Sequence, residues 1–332
     1  MSVLNRGLQK LFFVTVFAVM TSWTYAAAPL GTPSLDDIEY PDDEPPSQLE
    51  IELGKKLFFD VRLSLNRAQS CATCHNPDLG FGDGMPTSQG TMGSRVTRNA
   101  PPIYNLAWNV VFFWDGRAAS LEEQALGPIE SGGEMNLPMS EAVKRLSQVG
   151  YYRDTFRTVY GADSIEPELI GRAIAAFERT IISRQSPFDR FLAGERFAMS
   201  PGAVRGLAIF KGKARCTQCH DGANFTDNSF HNIGLNSQDV GRGAVVGDAS
   251  FNKAFKTPGL RNVALTAPYM HDGSEPTLLD VVEFYDRGGD ARAGISSLIQ
   301  PLHLTNQEKV DLVAFLGALT DPVELERPWI PE

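Results

Sequence analysis

The chain has 332 residues, 42% of them hydrophobic and 21% charged, an ordinary balance for a soluble globular protein and enough material for two domains with separate cores. Acidic residues outnumber basic ones 40 to 30, for a formal charge of −10, and the first 28 residues hold two of the basic side chains and no acidic one. Without them the charge is −12, which argues against nucleic acid and anionic membrane as partners and leaves a protein partner to dock through a basic patch.

Residues 1–26 read as an export signal. Arg6 and Lys10 precede the uncharged apolar run 11–20, and the small residues of 21–28 suit cleavage after Ala26 or Ala28. The run is far shorter than the roughly 20 residues a membrane span needs, so a periplasmic chain without stable membrane insertion is expected. Residues 27–46, with Pro41-Asp42-Asp43-Glu44-Pro45-Pro46, predict an extended arm. A helix opens near Ser47 with Leu49, Leu53, Leu57 and Phe58 on one face, and starts a first domain over 47–190. Further helices are expected over 140–160, with Ser140 as cap and Val143, Leu146 and Phe156 as apolar positions, and over 166–183, carrying Leu169, Ile170, Ala173, Ile174, Phe177 and Ile181. A second domain over 191–320 opens where Ser200-Pro201 caps a helix whose Val204, Leu207, Ala208 and Phe210 face inward. It closes with a capping box, Thr305 and Glu308, ahead of Val310, Leu312, Val313, Phe315 and Leu316; residues 321–332 form a tail.

The four cysteines form two identical spacings, Cys71-Ala72-Thr73-Cys74-His75 and Cys216-Thr217-Gln218-Cys219-His220. Two disulfides, one zinc held by two CxxC knuckles, or a redox dithiol each use such cysteines, but none needs a histidine after the second one. Covalent haem does: the two thiols bond the two vinyl-derived carbons of the porphyrin, and the next imidazole ligates iron from below. With only five histidines in the chain, both motifs ending in one points to two covalently bound c-type haems. Their attachment outside the cytoplasm agrees with the export signal. A helix precedes each motif, so the chain is an approximate internal repeat. The expected fold is mainly α, two cytochrome c-like domains each carrying one haem, with little sheet.

The sixth iron ligand separates electron transfer from catalysis. The first domain has no histidine besides His75; its methionines are Met85, Met92, Met135 and Met139, and a lone methionine is usually a packing residue. The first haem is therefore expected to be five-coordinate or water-bound.

Several stretches resemble bacterial di-haem cytochrome c peroxidases. They are Thr97-Arg98-Asn99-Ala100-Pro101, Phe112-Phe113-Trp114-Asp115-Gly116-Arg117-Ala118-Ala119, Gly127-Pro128 with Glu134-Met135-Asn136, and Leu260-Arg261-Asn262-Val263-Ala264-Leu265-Thr266-Ala267-Pro268-Tyr269-Met270-His271-Asp272-Gly273. The resemblance spans about 47–320, and the superfamily includes the MauG-type enzyme of methylamine utilisation, which oxidises a protein tryptophan pair. It implies that Trp114 relays electrons between the haems, that Glu134 is the distal acid/base, with Glu130 competing, and that Gln124 is a distal amide. It also implies a calcium site between the domains at Asn99, Thr266 and Pro268, and an inter-haem hydrogen-bonding role for His271.

Two departures matter. Where many members carry a histidine that caps the first haem, the matching position here is Thr91, so that haem is expected to be open without reductive activation. Where many members use a methionine on the second haem, the segment Val281-Val282-Glu283-Phe284-Tyr285 places Tyr285, as in the MauG-type branch; His231 is the alternative ligand, and His303 is expected to be exposed. Three functions compete. One is a peroxidase reducing hydrogen peroxide with a small redox protein, a cytochrome c or a cupredoxin, as donor. The others are a MauG-type enzyme modifying a partner protein through a high-valent di-haem state, and a non-enzymatic electron carrier. Oligomeric state is left open, a homodimer included.

Overall fold

The computed structural model describes residues 28–332, so the signal segment read at 1–26 lies outside the described residues. The described chain is mainly helical, with one two-stranded antiparallel sheet, as expected. In chain order the helices are α1 (Gln48–Phe59), α2 (Cys71–Cys74), α3 (Leu121–Glu130), α4 (Met139–Ser147), α5 (Gly150–Tyr160), α6 (Pro167–Glu178), α7 (Pro187–Leu192), α8 (Pro201–Lys211), α9 (Arg242–Val246), α10 (Leu278–Asp286) and α11 (Asn306–Gly317). Strands β1 (Phe230–His231) and β2 (Phe255–Lys256) pair with Phe230 opposite Lys256. No helix among the described residues is long and apolar enough to cross a membrane.

Two apolar cores organise the molecule. The first gathers Leu53 and Phe58 of α1 with Ile129, Leu146, Tyr152 and Phe177. The second gathers Phe188, Phe210, Phe225, Val282, Leu312 and Phe315. Both are built around the same helix crossing. Gly54 of α1 sits so close to α6 that a Cβ would lie 1.7 Å from the Ala173 carbonyl oxygen, and Gly206 of α8 so close to α11 that a Cβ would lie 1.9 Å from that of Asp311. One turn beyond each crossing, aromatic rings meet edge to face, Phe58 with Phe177 at 5.2 Å and Phe210 with Phe315 at 5.1 Å. The internal repeat is thus a repeat of packing as well as of motif.

That crossing corrects several helix faces. On α8, Val204 and Ala208 are exposed, while Ala203, Gly206 and Phe210 are buried. A glycine marks the inward stripe because the partner backbone takes the space of a side chain, so apolar bulk misreports the phase. Leu49 on α1 and Val310 on α11 likewise face solvent. The helix expected over 140–160 is two, α4 and α5. Ser140 lies inside the first turn, with Pro138 at the cap, and Val149 is extended between the two. Leu146, Val149 and Tyr152 are all buried at helical spacing, so the periodicity runs through a break in the backbone. α6 stops at Glu178, and Ile181 reaches the first core from the turn beyond. The capping box of α11 forms as expected, Glu308 N–H donating to Thr305 Oγ1 and Thr305 N–H to Glu308 Oε2. α3 was not expected, because Gly127 and Pro128 interrupt its ten residues, although Ser120 caps it by accepting from Glu123 N–H.

The segment from residue 28 to the start of α1 is pinned over residues 28–34. Ala28 N–H donates to Asp221 Oδ2 (2.7 Å), Thr32 Oγ1 to Asp189 Oδ1 (2.7 Å), and Trp108 Nε1 to the Ser34 carbonyl (3.0 Å). It makes two short 3₁₀ turns, Leu35–Asp37 and Pro41–Asp43.

Candidate functional site

The first CxxCH motif forms a single helical turn, α2, with Ser70 and Thr73 bonded to each other at its start. Cys71, Cys74 and His75 all line one cavity of about 600 Å³, within the range of roughly 300–1,000 Å³ typical of cofactor pockets. The thiols form no disulfide. Burial pushes the Cys74 thiol up to about 11 and Cys71 higher still, so both stay protonated. Burial also lowers His75, whose Nδ1 sits 3.3 Å from the Phe81 carbonyl. That contact occupies one ring nitrogen and leaves Nε2 for a metal.

Gln124 and Pro128, one turn apart on α3, line the same cavity, and the turn that follows α3 brings Glu134 onto it. Glu130 does not line it: it is exposed, and Oε1 accepts from Met139 N–H (3.3 Å). Thr91 does not line it either; its N–H donates to the Glu134 carbonyl (2.7 Å) and its buried hydroxyl has no partner among the described residues. His75 is the one histidine on this cavity among the described residues, and Met135 the one methionine. Met92 is 79% exposed. Met135 is buried in the first core.

The second motif lines a smaller, mostly apolar cavity of about 220 Å³ with Cys216, Cys219 and His220. Burial pushes Cys216 up to about 12 and lowers His220, whose Nδ1 lies 2.9 Å from the Phe225 carbonyl, repeating the arrangement at His75. Tyr285, from the last turn of α10, lines this cavity and is driven upward by burial beside both cysteines. His231 also lines it, but its Nε2 is 2.8 Å from Asp227 Oδ2, and that bond and one to Cys219 push the imidazole up to about 10. Cys219, Asp227 and His231 bring ligand atoms within 4.8 Å of one another, but a thioether at Cys219 leaves only the His–Asp pair. Met270 lines the cavity too, and His303 is exposed. In both cavities the paired thiols and an oriented imidazole are the donor set of a c-type haem.

Trp114, Asn99, Pro102, Lys256, Pro258 and Gly259 line both cavities and form the wall between them. Trp114 is held at three points. Its Nε1 donates to the Asn99 carbonyl (2.9 Å), its carbonyl accepts from Lys256 N–H (2.8 Å), and Arg242 Nη1 donates to the next two carbonyls, of Asp115 and Gly116. Gly116, at φ +66°, packs where a Cβ would lie 2.3 Å from the Phe230 ring. Arg98 ties the wall together, donating to Asp115 and to Asp239 Oδ2 (2.7 Å). His271 stacks on Phe255 (centroids 3.7 Å) and faces Trp114 edge-on at 6.5 Å. Its Nε2 lies 3.3 Å from Ser237 Oγ.

Asn99, Thr266 and Pro268 line the second cavity together. Asn99 Nδ2 donates to the Met85 carbonyl (2.9 Å), which leaves Oδ1 as the free oxygen. Thr266 Oγ1 donates to the Val263 carbonyl and keeps its lone pairs. Hard oxygen donors of this kind suit calcium.

Glu178 and Lys256 are among the titratable groups on these walls that sequence reasoning missed. Glu178 lines the first cavity from the end of α6; burial pushes its carboxyl up to about 8, and Oε2 has no hydrogen-bond partner among the described residues. Its place inside the helix expected over 166–183 gave it no chemical role. Lys256 sits on the shared wall, and an isolated lysine in a loop-rich stretch carries no motif.

Residues 48–196 match a family model described as di-haem cytochrome c peroxidase, CCP_MauG. The chain is 42% identical over 301 residues to methylamine utilization protein MauG of Methylorubrum extorquens, covering 89% of this chain and 85% of that protein. It is 38% identical over 288 residues to cytochrome c551 peroxidase of Nitrosomonas europaea, covering 84% and 83%. A crystal structure of a MauG-like protein associated with microbial copper homeostasis superposes with a TM-score of 0.79 at 33% identity, covering 90% of this chain and 95% of that one.

Proposed function

The chain belongs to the di-haem cytochrome c peroxidase family that includes MauG, an oxidoreductase family with two haem cofactors, and from that premise we propose that it is a periplasmic peroxidase reducing hydrogen peroxide. The observation that carries this reading is the lining of the first cavity: one imidazole, His75, with Glu134 and Gln124 on the same cavity and Thr91 off it. When bound, the two haems supply the iron at which peroxide is reduced and a second centre through which electrons arrive. Glu134 takes a proton from the near peroxide oxygen and returns it to the leaving oxygen, which a carboxylate in reach of both can do. Gln124 donates its amide hydrogen to the peroxide and orients it. Trp114, on the shared wall, divides one long electron transfer into two short ones. Tyr285 would ligate the second iron, and oxygens of Asn99, Thr266 and Pro268 would hold calcium beside the wall. Proposed domain limits are 47–190 and 191–320, with the export signal before them. The electron donor is a small redox protein.

A second reading, oxidative modification of a partner protein, is favoured by Tyr285 on the second cavity and by the similarity to MauG. Mixing haem-loaded protein with peroxide and a reduced cytochrome c or cupredoxin separates them. Sustained donor oxidation at about 1 s⁻¹ or faster, the low end of ordinary enzyme turnover, is the expected result. A long-lived oxidised protein that leaves the donor reduced would turn the assignment to the second reading, and no reaction at all would leave an electron carrier.

A further inference from the structure

Lys256 ends strand β2, whose backbone is fixed by pairing with β1 and by the Lys256 N–H to Trp114 carbonyl bond. Its side chain lies on the wall shared by both cavities. The enclosed arginines on the first cavity have carboxylate partners: Arg98 has Asp115 and Asp239, and Arg261 has Asp189. Lys256 has no ion pair among the described residues. Its ammonium makes one long bond, 3.4 Å to the Thr257 carbonyl, and Asp227, the acid whose charge reaches it, is bonded to His231. Burial pulls the ammonium down to about 8. A buried charge persists when something of opposite sign completes its surroundings, and the chain itself offers nothing closer.

Each cavity carries the donor set for a tetrapyrrole, and a tetrapyrrole of this type bears two carboxylate arms. We propose that the Lys256 ammonium is the counter-charge for a haem carboxylate at the wall between the two sites, and that it raises the reduction potential of the haem whose carboxylate it pairs. This rests on two haems being bound and not on peroxide being the substrate. Reduction adds an electron to the iron centre, so a fixed positive charge nearby favours the reduced state; its removal favours the oxidised state. Lys256 acts here as a positioning residue, since it touches the cofactor's arm and not the reacting atoms.

The test is an anaerobic spectroelectrochemical titration of the haem-loaded full chain, with no peroxide present. Lys256→Gln is expected to shift the one-electron equilibrium of at least one haem about tenfold towards the oxidised form, which corresponds to 59 mV. Lys256→Arg, which keeps the charge, should hold both midpoints within about threefold of the parent. Both midpoints of the Gln variant within threefold of the parent would overturn the proposal. So would an Arg variant displaced as far as the Gln variant, because loss of packing and not of charge would then be the cause. Resonance Raman spectra of the Arg variant decide the matter if the Gln variant does not load haem. A shifted propionate-bending band is expected as ammonium is exchanged for guanidinium, and an unchanged band would refute the pairing.

Discussion

Glu134→Gln lowers the rate constant for reaction of the haem-loaded protein with hydrogen peroxide by about a hundredfold or more, within the roughly 10²–10⁴-fold contribution of a positioned acid/base group. The amide keeps the size of the carboxylate and its hydrogen-bonding reach but cannot accept a proton and return it. The turn that holds the residue does not depend on its side chain. Thr91 N–H bonds the Glu134 carbonyl, Glu134 N–H bonds the Ser131 carbonyl (2.9 Å), and Leu137 N–H bonds the Ile129 carbonyl (2.7 Å). Visible spectra of both haems should therefore match the parent, with the loss confined to the stopped-flow rate. Glu130→Gln, on the exposed side of α3, is the control and should leave the rate unchanged. An unaltered rate in the Glu134 variant would remove that carboxylate from the chemistry.

Asp189→Asn destabilises the fold by about 3–5 kcal/mol, the cost of stripping one partner from a buried ion pair. Arg261 and Asp189 are 2% and 5% exposed at their side chains and meet fork to fork, Nη1 to Oδ2 at 2.8 Å and Nη2 to Oδ1 at 2.9 Å. Asp189 also closes the capping box of α7 with Ser186 and accepts from Thr32, while Arg261 donates to the Gly31 and Ala223 carbonyls. One pair thus joins α7, the segment after the second haem motif, and the N-terminal strap. In the variant the guanidinium stays buried and uncompensated. At about 2–4 °C per kcal/mol for a domain of this size, the thermal midpoint should fall by roughly 6–20 °C. Burial works to raise the Asp189 carboxyl, but Arg261, Ser186 and Thr32 outweigh it and hold the group below the usual carboxylate range. Its folded value lies below the unfolded value of about 3.9, so this stabilisation is present in full above about pH 4 and fades as pH falls through the folded value. The parent should lose stability in that acid window and Asp189→Asn should lose less across it, as read from thermal melts at pH 3 and pH 7.

The two haem motifs were legible because their chemistry is local: two thiols and an imidazole within five residues need no long-range contact to be recognised. The opening and closing helices were legible for a similar reason, since Ser47, Ser200 and Thr305 cap them through neighbours three residues on. What the sequence hid depends on approach between distant segments. Gly206 defines the inward face of α8 only because Asp311 backbone meets it, and Val149 breaks a helix whose apolar spacing continues unbroken. The wall between the cavities draws on residues 99–114 and 256–259, and no spacing rule links them. Trp114, Asn99 and His271 were reached through resemblance to a family. Lys256 and Glu178, outside the motifs that carry that resemblance, were not reached at all.

The proposed chemistry depends on the first iron keeping one coordination position free of protein. A frozen-solution electron paramagnetic resonance spectrum of the haem-loaded, as-isolated ferric protein reads both coordination states at once. The expected spectrum contains a high-spin ferric component from the His75 site beside a low-spin component from the His220 site. Two low-spin components with no high-spin signal, unchanged after half-reduction, would mean that both irons are capped by side chains and that peroxide has no place to bind.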